Sequence, residues 1–259
     1  MPLSHRYLFV GGLHRSGTSL VARTIASLPD VAAITDAPVP ENEGVYLQGG
    51  IPHDALNGRP MHFGTDPEQH LTERHPLNRL ETRIRMEADW APWFGPGVWR
   101  VEKSPVNLTR MRLLQQLFPL SQFVVVLRHP QAVAGAVAKW VDMPFADRID
   151  HWLDAHDSVA ADLAHLHAVL VLRYEDLVAR PEASRAMIAA FLDLPAAGRT
   201  EPLRDGNLDY RDVPGMTSAQ VRRAGRWGYA DRLSVEARRQ PECRHPLTQV
   251  RRAVADAWL

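Results

Sequence analysis

The stretch 7–28, YLFVGGLHRSGTSLVARTIASL, limits what this chain can fold into more than any other. Its first four residues, Tyr7, Leu8, Phe9 and Val10, form a short apolar run of the kind that makes a buried strand. Two glycines follow, then His14-Arg15-Ser16-Gly17-Thr18-Ser19, then Leu20, Val21, Thr24, Ile25 and Leu28 at helical spacing. A strand, a glycine-rich turn and a helix start together make an anion cradle. The first N–H groups of the helix lack intrahelical partners, and the aligned peptide dipoles put partial positive charge beside them. Gly12 and Gly17 are five apart, the glycine spacing of a phosphate-binding P-loop.

One departure narrows the chemistry. A nucleoside triphosphatase sets a lysine after the second glycine and a Ser/Thr on Mg²⁺. Here Thr18 and Ser19 follow Gly17, and the nearest strong cation is Arg15, inside the loop. Such a loop suits a smaller, less charged anion handled without a metal. The bland alternative is a chance glycine pair with a surface arginine; its place between a strand and a helix, with Arg-Ser inside, argues against that.

Composition excludes several function classes. Thirty basic and thirty acidic residues cancel, so no overall field draws the chain to nucleic acid or to an anionic membrane. The one cysteine, Cys243, has no internal partner, which favours a reducing compartment. No apolar run reaches the roughly 20 residues that span a bilayer, and His14 and Arg15 interrupt the only candidate for a leader. The expectation is a soluble cytoplasmic protein, with residues 1–259 as a single domain.

Along the chain, 31–34 reads as a second strand running into an acidic loop with Asp36, Glu41 and Glu43. A carboxylate past a strand end, near an anion cradle, is placed to take a proton from a hydroxyl. Asp36 is the first candidate for that base and Glu43 the second; a solvated acidic loop is the alternative. Residues 44–97 differ in kind, with Gly49-Gly50, several prolines, His53, His62, His70 and His75, and the cluster Trp90, Trp93, Phe94. Only 77–88 carries a helical pattern. This span reads as a lid or acceptor-pocket excursion off the sheet. Its histidines lack metal-ligand spacing, as do His151 and His156, so no metal is expected.

Strands are expected at 98–101, 122–127 and 167–174, and helices at 106–117, 131–140, 147–166, 183–192 and 247–259. Lys103 follows the first of these strands and Arg128 the second, on the sheet edge that carries the cradle. No Asp follows Val126, so the Mg²⁺ ligand of a triphosphatase is missing too. Residues 198–239 form a basic arm, rich in arginines such as Arg222, Arg223 and Arg226, suited to a multi-oxygen anion or simply to solvent. The alternation predicts an α/β fold: a P-loop-like parallel β-sheet flanked by helices on both faces, with an irregular, partly helical lid insertion.

In this order and spacing, several short segments carry a resemblance. They are Arg15-Ser16-Gly17-Thr18-Ser19, Glu102-Lys103-Ser104-Pro105, Leu127-Arg128-His129-Pro130, Arg173-Tyr174-Glu175-Asp176-Leu177, Phe191-Leu192-Asp193-Leu194-Pro195 and Gly225-Arg226-Trp227. Over nearly its whole length the chain resembles the sulfotransferases that use 3′-phosphoadenosine 5′-phosphosulfate (PAPS), in particular the bacterial and tyrosylprotein-type branch, which carries Arg in the loop. The resemblance implies transfer of a sulfuryl group from PAPS to a hydroxyl of a small molecule or carbohydrate. It implies that His14 to Ser19 hold the 5′-phosphosulfate, that Arg128 meets the 3′-phosphate and Tyr174 the adenine, and that Arg223, Arg226 and Trp227 close over the donor. Arg15 and Lys103 would stabilise the leaving oxygen, and Asp36 matches the family's base by position. No metal is implied.

The family usually has a serine eight residues after the strand-end arginine; here that residue is Ala136. One lost charge-assisted hydrogen bond weakens a ligand by roughly 10- to 150-fold, unless Ser158 or the arm arginines compensate. The departure keeps open another donor, such as an aryl sulfate, and a catalytically inactive binding protein. A P-loop kinase or NTPase is the remaining alternative, against which the missing lysine and aspartate count.

Overall fold

The computed structural model describes residues 5–53, 59–198 and 202–259. Three strands and two helices come first: β1 (Arg6–Gly11), α1 (Thr18–Ala26), β2 (Val31–Ala33), α2 (Leu80–Trp90) and β3 (Trp99–Lys103). The middle of the chain adds α3 (Met111–Leu117), β4 (Gln122–Leu127), α4 (Pro130–Val137), α5 (Phe145–Asp162) and β5 (Val169–Arg173). The last part supplies α6 (Tyr174–Ala179), α7 (Pro181–Phe191), α8 (Ser218–Ala224), β6 (Glu242–Arg244) and α9 (Thr248–Trp258).

The strands form one sheet in the order β2-β3-β1-β4-β5-β6. The first five are parallel, and β6 runs antiparallel to β5. Both faces of the sheet are covered, which is why its inner strands read as continuous apolar runs. Leu8 and Val10 of β1 pack with Val21 and Ile25 of α1, Ile188 of α7 and Trp258 of α9. Tyr7 and Phe9 point the other way, into a core with Leu114, Val133, Trp152 and the excursion residues Phe63, Met86 and Trp90. The fold is α/β, as the alternation of elements predicts.

The topology locates the site. From β1 the chain crosses to β2 on one side, whereas from β4 it continues to β5 on the other. Loops leaving β1 and β4 therefore diverge, and a crevice opens at the carboxyl ends of these two neighbouring strands. The glycine loop and Arg128 both lie there.

Several boundaries differ from expectation for local reasons. Residues 77–79 turn before α2, with Asn78 N–H donating to His75 O and Arg79 N–H to Leu77 O. The helix expected over 106–117 is a 3₁₀ turn, Pro105–Thr109, followed by α3. Between them Arg110 leaves helical geometry, and its buried side chain donates to Pro52 O and Gln69 Oε1. Strand β3 reaches Lys103, and α6 starts directly at Tyr174. The excursion is packed, with Val45, Ile51, Met61, Phe63, Leu71, Met86 and Trp90 all buried; its residues 54–58, and 199–201 of the basic arm, lie outside the described residues. No helix among the described residues is long and apolar enough to cross a membrane.

Candidate active site

The glycine loop is a concave backbone turn. Arg15 and Gly17 have positive φ, 66° and 94°, on either side of Ser16. Such alternation turns successive N–H groups inward and makes a nest for an anion. At Gly17 a side chain is excluded twice: by the backbone angle, and because a Cβ would come within 2.8 Å of the Tyr174 ring. Ser16 is fully buried, yet its Oγ has no hydrogen-bond partner among the described residues. A buried hydroxyl without a partner is costly, so the nest carries a donor that a bound anion would satisfy. Thr18 is buried at the first turn of α1, and Ser19 Oγ donates to Glu41 Oε2 at 3.1 Å.

His14 and Arg15 flank the nest differently. His14 Nδ1 accepts the Met61 N–H at 3.0 Å, which leaves the ring proton on Nε2. Burial, then the charges of Lys103 and Arg15, hold its pKa down to about 4, so the ring is neutral. Arg15 is exposed, and its guanidinium lies 4.8 Å from the centroid of the Trp140 ring.

On the neighbouring strand, Lys103 pairs in register with Val10, at the mouth of the loop. Its Nζ contacts Glu43 Oε1 at 2.9 Å, and both residues are buried. The chain around Glu43 is held by Glu102 and Ser104. Glu102 Oε1 accepts the Gly44 N–H and the Ser104 hydroxyl, while Ser104 Oγ accepts the Val45 N–H. Trp90 Nε1 donates to Gly44 O at 2.9 Å. Gly44 has no room for a side chain, since a Cβ would meet Glu102 Cγ at 2.6 Å. Burial pushes the Glu43 carboxyl above its ordinary pKa, and Lys103 opposes that shift. Asp36 is instead exposed, in a positive-φ turn, and makes no hydrogen bond or ion pair among the described residues. Of the two carboxylates considered from sequence, Glu43 is the one brought to Lys103.

Arg128, at the end of β4, bridges the loop to the arm. Its Nη1 donates to Arg15 O at 3.0 Å and its Nε to Asn207 Oδ1 at 2.7 Å. Its guanidinium carbon lies 4.5 Å from the Tyr174 ring centroid and 5.6 Å from that of Tyr210. Nη2 has no partner among the described residues. Asn207 Nδ2 donates to Glu175 Oε1, and the half-buried Glu175 carboxyl, its pKa raised by desolvation, also accepts the His129 N–H and the Tyr229 hydroxyl. Tyr174 OH donates to Arg204 O and accepts the Gly206 N–H.

The arm is only partly where its arginines suggest. Residues 204–210 meet Arg128 and Tyr174, but Arg223 on α8 is clasped by Asp154 and Asp157 of α5, at 2.6 Å each. Trp227 is buried in the core beside His156, and Arg226 is exposed beside Trp227. The structure thus gives Arg223 and Trp227 docking and packing roles. Ala136 is buried on α4, where Tyr210 packs against the adjacent Gly135. Ser158, a candidate to compensate for the missing serine, donates to Asp154 O on the exposed side of α5. From sequence, Asn207 carried no signal; Glu175 lay within a recognised segment but without a role.

The profile of the "Sulfotransferase family" matches residues 8–198, well over half of the chain. The chain belongs to the sulfotransferase family. Among solved structures, a sulfotransferase from Mycobacterium avium is similar with a TM-score of 0.56 and 13% identity, over 91% of this chain and 79% of that one. The sulfotransferase domain of the Synechococcus PCC 7002 olefin synthase aligns with a TM-score of 0.47 and 17% identity, over 88% and 97% of the two chains. No curated protein sequence matches. The profile carries the family, and with it sulfuryl transfer as the general chemistry; the M. avium structure carries the fold alone.

Proposed function

We propose that this sulfotransferase moves a sulfuryl group from PAPS to a hydroxyl of a small molecule or sugar, with Glu43 as the base. The observation that carries the reading is the buried Lys103–Glu43 pair at the mouth of a nest whose Ser16 hydroxyl has no partner among the described residues. The residues present suit this co-substrate. The nest, Thr18 and the start of α1 would take the 5′-phosphosulfate, and Arg128 Nη2 would take the 3′-phosphate from beside Tyr174.

The acceptor hydroxyl would give its proton to the Glu43 carboxylate as its oxygen bonds to sulfur. The bond from sulfur to the bridging oxygen breaks, and 3′-phosphoadenosine 5′-phosphate leaves with the electron pair. Arg15 and Lys103 would meet the charge that grows on that oxygen. Lys103 also borders a cavity of about 300 Å³ lined by Ala22, Ala26, Ala33, Ile34 and Glu41, whereas Glu43 lines a much smaller one with His14, Tyr46 and Phe63. Two further cavities, about 580 and 570 Å³, are lined by neither Arg15 nor Lys103.

Binding of 3′-phosphoadenosine 5′-phosphate should raise the melting temperature. Calorimetric silence and no thermal shift at millimolar ligand would end the donor assignment. In ³⁵S transfer from labelled PAPS, Arg15→Ala should lose most activity; equal turnover by both proteins would remove Arg15 from the mechanism.

A further inference from the structure

Trp140 stands out among the large apolar side chains at the site, because it is 42% exposed beside the catalytic loop rather than packed in the core. Its backbone is fixed in the turn that follows α4, where Trp140 N–H donates to Val137 O at 2.8 Å. Three groups gather round the ring. The Arg15 guanidinium lies 4.8 Å from its centroid, Lys139 Nζ lies 5.4 Å away, and the His14 ring meets it edge-on at 6.1 Å.

Arg15 makes no hydrogen bond through its side chain and no ion pair among the described residues, so the ring is its one attractive partner there. The kind of partner matters. A carboxylate would hold the guanidinium but cancel its charge and occupy its N–H groups. An aromatic face holds it through the ring quadrupole, leaving the charge and the edge donors available to an anion.

We infer that Trp140 is the positioning residue of Arg15: it keeps the side chain beside the nest, ready for the transferring group, without neutralising it. This rests on the sulfuryl-transfer reading above, and the test separates the two. The test uses ³⁵S-labelled PAPS with 4-nitrophenol, octan-1-ol and N-acetylglucosamine as acceptors, and PAPS hydrolysis by water if none is used. Trp140→Ala should lower kcat by about 3- to 10-fold, somewhat more than an exposed cation–π contact alone supplies, since Arg15 also gains rotamers. The KM for PAPS should stay within about twofold of wild type. Trp140→Phe, which keeps a ring, should recover most of the rate, and Trp140→Leu, which keeps apolar bulk, should not. In an Arg15→Ala background, Trp140→Ala should have no further effect.

A second readout needs no turnover. The Arg15 Nε–H resonance of the ligand-free protein should carry an aromatic ring-current shift that Trp140→Leu abolishes. Full activity in Trp140→Leu, an undiminished Trp140→Ala effect without Arg15, or no ring-current shift would each overturn the inference. Wild-type turnover by Arg15→Ala would instead overturn the sulfuryl-transfer role of Arg15.

Discussion

The Lys103–Glu43 pair and the Arg223 clasp on Asp154 and Asp157 are both short contacts, 2.9 and 2.6 Å, but they face different solvents. Lys103 and Glu43 retain 7% and 10% of their side-chain exposure; Arg223 retains 37%, and its partners 59% and 51%. Water screens the second cluster, so it does little beyond docking α8 on α5. In the first, little solvent intervenes: burial drives the Glu43 carboxyl toward its neutral form while Lys103 pulls it back. A carboxylate in that balance can accept a proton from a substrate. Bond length says little about what a charge pair does; its surroundings decide.

The largest expected effect tests the buried member. Glu43→Gln keeps the shape and a hydrogen-bonding oxygen but removes the base, and should lower kcat by about 10²- to 10⁴-fold while leaving the thermal shift with 3′-phosphoadenosine 5′-phosphate intact. A variant retaining a tenth of the rate would make Glu43 no more chemical than Asp154. The pH profile sharpens the same point. Glu43 must be ionised to act, and its pKa is raised from 4.5 by burial, so kcat/KM should fall as the pH drops through that raised value. Folding raises this pKa rather than lowering it, so protonating Glu43 does not destabilise the native state through this group. The acid limb should therefore be a loss of rate, and it should vanish in Glu43→Gln.

A smaller effect is expected at the nest. Gly17→Ala must adopt φ near 94° and meet Tyr174 at 2.8 Å, at a cost of about 1–3 kcal/mol from the backbone alone. Its melting temperature should drop and its response to 3′-phosphoadenosine 5′-phosphate should weaken; unchanged calorimetric binding would mean that the nest does not hold the donor. The smallest effect belongs to the exposed cluster. Arg223→Ala should cost no more than about 1 kcal/mol in urea unfolding, shrinking further in high salt. Donor affinity that collapses in this variant would return Arg223 to the donor site.

What could be read from sequence follows the same division between local and distant causes. β1, the glycine loop and β4 are legible because strand type, turn and helix start are encoded in adjacent residues. The partner of Lys103 is not. Glu43 reaches it because Glu102 and Ser104, about 60 residues away in the chain, bond to the backbone at Gly44 and Val45, and no local pattern distinguishes Glu43 from Asp36. α8 is not legible from periodicity because only Gln220 and Ala224 of its residues are buried, leaving no apolar stripe; its one local signal is the Thr217–Gln220 capping box. β6 is three residues long with two exposed, too brief for any alternation to register.

That brevity at the margin of the sheet bears on how the chain behaves among its own copies. The outermost strands, β2 and β6, are three residues each, and β6 carries Glu242 and Arg244 on its exposed positions. The six-residue strands RYLFVG and QFVVVL lie in the interior of the order, hydrogen-bonded on both sides. The segments best able to recruit a neighbouring molecule edge to edge are those the topology never leaves uncovered, so the native protein offers aggregation little template.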